Sequence, residues 1–299
     1  RGADGGPLAE GRPAWGARAG AERRCGACPG GGCARGAVWV TDALARAQGS
    51  TWSIAKATAY LGSVDSDRAD YPGAIARLEQ AVAFSIDVNE PRRQAYSLSM
   101  LGRVSLLRGD LDAAVRQLDS SIKLAERDHW LSFLPWPQAL RGEVQLARGD
   151  RAGATDLLQQ AFARACQLGD PCWEGVSARG LALVAEAAGE PERAFTLLAD
   201  ARSRCNRMPD PYVWLDGYIL DAQCALGVRH GHAQVSTWVD SLRELASRAG
   251  MRELTIRSLL HGAALGLARD DEAAALLAAD VDNPALSTLL ARLATATSG

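Results

Sequence analysis

The sequence predicts an all-α superhelical solenoid of about six helix-turn-helix units, each 40 residues long, and three observations carry the prediction. A small residue recurs at Gly62, Gly102, Gly142, Ala182, Ala222 and Gly262, one every 40 positions without an insertion. Twelve residues after each comes Ala74, Ala114, Ala154, Ala194, the exception Gln234, and Ala274. Seven residues after the first series stand Ala69, Gly109, Gly149, Gly189, Arg229 and Arg269, and Asp70, Asp110, Asp150 and Asp270 follow four of them directly.

Each unit divides into two helices. In the third unit Ala154, Leu157, Leu158, Ala161, Phe162 and Ala165 recur at helical spacing and form one apolar stripe. Leu111, Ala114, Val115, Leu118, Ile122 and Ala125 repeat it one unit earlier. The Gly-Asp pairs at 109 and 149 mark the turn inside a unit, because Gly accepts the left-handed conformation that ends a helix and Asp caps the next one. Between units, Asn89-Glu90-Pro91, Leu168-Gly169-Asp170-Pro171 and Met208-Pro209-Asp210-Pro211 read as linkers. The two small positions, twelve apart, let the paired helices approach closely.

Outside the repeats the composition changes. Residues 1–36 hold eleven Gly, eight Ala and six Arg with few large side chains, which cannot offset the entropy of ordering, so a disordered leader is expected there. The solenoid is expected over 37–282, with a C-terminal capping helix and tail over 283–299. Extending the frame backwards makes Val38–Gln48 the second helix of a seventh unit. Together with Arg1 in place of Met, this predicts a truncated array or a mis-assigned start.

Composition narrows the function classes. The 299 residues carry a formal net charge of -2, so no basic field advertises nucleic acid and no acidic field advertises a cationic partner. Only Lys56 and Lys123 are Lys, a bias expected of a GC-rich bacterial genome. No apolar run reaches the roughly 18–20 residues of a membrane span, and no signal peptide is legible, so a cytoplasmic protein is expected. Seven Cys, an odd number, argue against a disulfide framework. Cys25, Cys28 and Cys33 lack a fourth ligand at zinc-site spacing, and His230-Gly-His232 has no carboxylate close in sequence. No nucleophile elbow, zinc-protease motif or paired-carboxylate arrangement stands out. A non-enzymatic protein without a cofactor is therefore expected.

At the level of motif, Leu61-Gly62, Leu101-Gly102, the Ala twelve residues on, the series Leu78, Leu118, Leu158 and Leu198, and the small residues Ala81, Ser121, Ala161 and Ala201 resemble the tetratricopeptide repeat. HEAT and armadillo repeats share the period, but the twelve-residue spacing and the Gly-Asp turn favour the tetratricopeptide type. The 40-residue period is similar to that of the repeat region in large LuxR-type regulators of the maltose-activator kind and in SARP-type regulators. The resemblance covers about residues 50–282. It implies the sensor arm of a bacterial transcription regulator that binds a protein or peptide partner, or a small-molecule inducer. An ATPase module would belong to the parent protein, and neither nucleic acid nor membrane would be bound directly. The same repeats would also suit the tail of a multidomain signalling enzyme, such as an ATPase-linked nucleotide cyclase or kinase, or a free-standing adaptor.

The resemblance also places a groove. Helix positions six and three before the small residue, and one after it, line the concave face in that family. Carried over, they are Tyr96, Ser99 and Arg103 in the second unit, Trp136 and Glu143 in the third, and Val176, Arg179 and Leu183 in the fourth. Tyr96 and Trp136, one period apart, are expected to stack along one face, and the pair Arg103 and Arg179 would suit a carboxylate or phosphate. The alternative is that these aromatic residues belong to the inter-repeat core. Trp130, Phe133, Pro135, Trp136 and Pro137 would form either a partner patch or a linker tucked over the core.

Overall fold

The computed structural model describes residues 50–207, 213–267 and 269–297. The expected leader with its three cysteines, the helix expected at Val38–Gln48 and the linker Met208–Pro211 lie outside the described residues.

All thirteen elements among the described residues are helices, two per unit, in the frame set by the repeat. The first unit is α1 (Thr51–Asp67) and α2 (Tyr71–Asp87), and the second is α3 (Pro91–Arg108) and α4 (Leu111–Arg127). The third is α5 (Pro135–Ala147) and α6 (Arg151–Leu168), and the fourth α7 (Pro171–Ala187) and α8 (Pro191–Cys205). The fifth is α9 (Val213–His230) and α10 (Val235–Ala249), the sixth α11 (Arg252–Ala264) and α12 (Asp270–Ala278), and α13 (Pro284–Thr297) follows. Each first helix packs on its own partner, and first helices of successive units also pack on one another, which places them along the inner wall.

Local chemistry explains the boundaries. Asp70, Asp110 and Asp150 cap α2, α4 and α6 by accepting from the backbone N–H three residues on. Gly109, Gly149 and Gly189 take positive φ at the intervening turn, and Ala69 and Arg269 adopt the same conformation in their units. The fifth unit departs from the frame: Arg229 remains helical, and the left-handed residue is Gly231. In the sixth, Asp270 lies inside α12 and pairs with Arg243.

The 40-residue spacing is a packing code. A Cβ added at Gly62, Gly102 or Gly142 would fall 2.7, 2.5 or 2.7 Å from Cγ of Leu78, Leu118 or Leu158, so each Leu knob occupies space that only Gly leaves open. Second helices bury one stripe, as in Ala114, Leu118, Ser121 and Ala125 of α4. In α9, by contrast, residues are buried on all sides, from Leu215 to Gly227, with Asp216, Asp221 and Gln223 among them. A helix enclosed on every face belongs to the interior. α9 runs inside the superhelix, with Trp214 against Trp136 of α5 and Tyr218 beneath Arg103 of α3.

The linker between the second and third units is tucked over the core. Trp130 stacks on Phe133 at 4.1 Å between ring centroids, and both are buried. These aromatics are core rather than a free partner patch.

Candidate ligand-binding cavity

Where the first helices curl around α9, the inner wall lines a cavity of about 220 Å³ that is half open to solvent. It draws on five units and on the first turn of α13: Arg103 comes from α3, Trp136 and Glu143 from α5, Arg179 from α7, Tyr218 from α9 and Arg257 from α11. The space is smaller than most ligand pockets and leaves room for no more than a compact molecule.

Five of the eight expected groove residues meet here: Arg103, Trp136, Glu143, Val176 and Arg179. Ser99 acts behind them, accepting a hydrogen bond from Trp136 Nε1 at 3.0 Å and donating its own to the Tyr96 carbonyl at 2.7 Å. Tyr96 sits one layer nearer the N-terminus, its ring 5.8 Å from Tyr60 and 6.4 Å from Phe133. The ring neighbours of Trp136 are Trp173 and Trp214, at 5.4 and 5.3 Å. The expected Tyr96–Trp136 stack is thus replaced by Trp214, brought in by α9.

The arginines are engaged by the protein itself. Arg103 donates to Ser66 Oγ at 3.2 Å and to Asp67 Oδ1 at 2.8 Å, while its guanidinium lies 5.0 Å from the Tyr218 ring centroid and 5.6 Å from that of Trp214. Arg179 pairs with Glu143 and donates from Nε to the Tyr218 carbonyl at 3.1 Å. Arg257 bonds Glu253 at 2.8 Å and reaches Asp221 at 3.5 Å, and His261 Nε2 lies 2.9 Å from the other Asp221 oxygen. Burial works against the charge on Arg103, but the Tyr218 and Asp67 groups outweigh it and raise its pKa. Arg179 is likewise raised against its burial, by Glu143 above all. Burial raises the Tyr218 hydroxyl, so it stays protonated and able to donate.

This pairing alters the expected ligand chemistry. Arg103, Arg179 and Arg257 face Glu143 and Asp221 in the wall, with Asp67 and Glu253 directly behind. A carboxylate or phosphate entering would add charge to a buried place whose cations are already matched. The wall is suited instead to a compact neutral or zwitterionic molecule with one flat or apolar face, which meets aromatic rings on one side and paired donors and acceptors on the other.

The sequence reading did not include Trp214, Tyr218, Asp221 and Arg257. Two signals pointed to them: the apolar residues of 213–230 form no single stripe, and three Arg–carboxylate pairs, 67/103, 143/179 and 221/257, share a 36-residue spacing. That spacing is one period less about one helical turn, as expected for neighbouring inner helices staggered by a turn.

Asp221 makes the network pH-sensitive. Burial would raise its carboxyl, but Arg257, His261 and Arg179 prevail and hold it at about 2. A folded pKa below the unfolded value of about 3.9 contributes stability that is complete above that value and is lost as pH falls towards 2. Asp221→Asn is expected to remove about 2 kcal/mol of this acid-side dependence. Urea unfolding of both proteins at pH 2.5 and pH 5 checks it, and a parallel loss in the two would refute it.

The His230 and His232 rings belong to another cluster. His232 stacks on Trp238 at 4.5 Å beside Phe195, and His230 faces Glu186 at 3.7 Å. Among the described residues no group of three or more His, Cys, Asp or Glu is placed to hold a metal ion, and no helix is long and apolar enough to cross a membrane. Comparison with models of known protein families finds no match, and neither does comparison with curated proteins.

Proposed function

We propose that this chain is a non-enzymatic tetratricopeptide-type scaffold that works as the small-molecule-sensing arm of a bacterial signal-responsive transcription regulator. The ATPase and DNA-binding modules would be supplied by other sequence. One observation supports the sensing role above all: the cavity wall takes residues from α3, α5, α7, α9 and α11, so a single bound molecule touches five consecutive units. In a nearly one-dimensional array each unit is held mainly by its neighbours, and a ligand bridging five of them favours one curvature over the alternatives. The regulator context rests on the resemblance of the repeat frame. The cavity's size favours a small-molecule inducer over a peptide.

The test is a thermal-shift screen of the full chain with amino acids, nucleosides and mono- and oligosaccharides, set against simple carboxylates and inorganic phosphate. A cognate compound at 100 times its Kd is expected to stabilise the fold by about 2.7 kcal/mol. Val176→Phe, which places a ring in the cavity wall, is expected to abolish that shift. No shift with any compound would sink the sensing role, and sequence-specific DNA binding by this chain alone would overturn the division of labour.

A further inference from the structure

The superhelix is closed by a contact between residues far apart in the chain. After the sixth unit, the segment 281–286 crosses back to α3 of the second unit. Asn283 is 1% exposed and spends its whole side chain there. Its Nδ2 donates to the Leu107 carbonyl at 3.2 Å and to Glu253 Oε2 at 3.1 Å, while its Oδ1 accepts from the N–H groups of Ala285 and Leu286 and starts α13. Beside it Arg108 pairs with Asp282 at 2.9 Å, Leu286 is buried, and Ala285 lines the cavity. Glu253 joins the two regions, since one carboxylate oxygen takes Asn283 and the other takes Arg257 of the cavity wall.

We infer that the segment 281–286 together with α13 is a strap that docks on α3 at one edge of the central cavity, and that its release widens access to the cavity for a small molecule. The joint is built for separate opening. It consists of one amide side chain, one ion pair whose Asp is 55% exposed, and the buried Val281 and Leu286, whereas the units themselves are held by full helix-to-helix stripes. Contacts of that kind open locally at lower cost than the core. Movement of Arg257 by a molecule in the cavity changes the partner of Glu253 Oε1, and the strap holds the other oxygen of the same carboxylate. Cavity occupancy and strap docking are thereby linked, and a bound ligand favours the docked form. Only what the strap encloses depends on the proposed sensing role. The strap itself is tested without any ligand.

The experiment uses the full chain, with hydrogen exchange as the probe of α13 and acrylamide quenching, read as the change from the unaltered chain because all eight Trp contribute, as the probe of access to Trp136 and Trp214. Asn283→Ala is expected to speed exchange at Leu289 and Leu290 at least tenfold and to raise acrylamide quenching, with Leu118 and Leu158 unchanged. Arg108→Ala, a milder variant for the case in which the first folds poorly, is expected to move both readouts the same way by a smaller factor. For the converse, a Cβ at Gly109 would lie 3.5 Å from that of Ala285, within disulfide reach. The pair Gly109→Cys and Ala285→Cys, once oxidised, is expected to slow α13 exchange and reduce quenching, both reversed by reductant. Unchanged exchange and quenching in Asn283→Ala and Arg108→Ala would overturn the strap, as would equal acceleration in every unit. A strap that opens while the metabolite screen stays blank would count against the sensing role alone.

Discussion

Arg257→Ala is expected to cost about 3–5 kcal/mol of stability, the largest single loss in the molecule, because it strands two buried carboxylates at once. Glu253 is 1% exposed and receives both Nε and Nη2 of Arg257, and Asp221, also buried, faces Nη1. With the guanidinium gone, Asn283 still donates to Glu253 and His261 still faces Asp221, but neither supplies a permanent charge. The penalty is mainly that of uncompensated buried charge. Replacing both partners, in Arg257→Met with Glu253→Gln, is therefore expected to recover a good part of it. Urea denaturation of the single and double variants forms the cycle that decides this. A loss below about 1 kcal/mol for Arg257→Ala would mean that the inner network is hydrated and behaves as surface ion pairs do.

Leu118→Ala is expected to cost about 2–5 kcal/mol, and its interest lies in its partner. Leu118 is fully buried and sits over Gly102, where a Cβ would come within 2.5 Å of its Cγ. Gly102→Ala alone is expected to cost about 1–3 kcal/mol through overpacking. The fourth unit carries the larger small residue naturally, Ala182 over the same helix-pair joint, which places the cost of the Gly change towards the low end. Because the two side chains contend for one space, the double variant is expected to lose less than the sum of the singles. Strict additivity in chemical denaturation would show that the Gly–Leu spacing is not a packing pair.

Both predictions stand on features of different legibility. The Gly–Leu joint is written in the chain: the two residues are sixteen apart, recur in three units and belong to adjoining helices. The caps at Asp70, Asp110 and Asp150 were legible for the same reason, since a cap and the N–H it serves are three residues apart. Five of the eight groove positions fall on one wall, because a repeat that returns to the same orientation every 40 residues presents the same helix face each time. Arg103, Trp136, Glu143, Val176 and Arg179 accordingly share it. Tyr96 lies one layer away, and the pairing of Arg103 and Arg179 with Asp67 and Glu143 is not legible within a unit, because each acid lies in the preceding unit at 36 residues' distance.

All-helical architecture, six units and the Gly–Leu joint of the first three follow from spacings no longer than one period, where local propensity and the helical repeat leave a single consistent solution. Closure of the inner wall does not follow from them. It results from small rotations between units that accumulate until α9 lies inside the turn and the segment 281–286 meets α3. That meeting joins Asn283 to Leu107, 176 residues apart, and Asp282 to Arg108, 174 apart. No pattern within a unit encodes such a sum. The tertiary structure alone decides that the groove becomes a cavity, that Tyr218 and Arg257 complete it, and that its charges are matched before any ligand arrives.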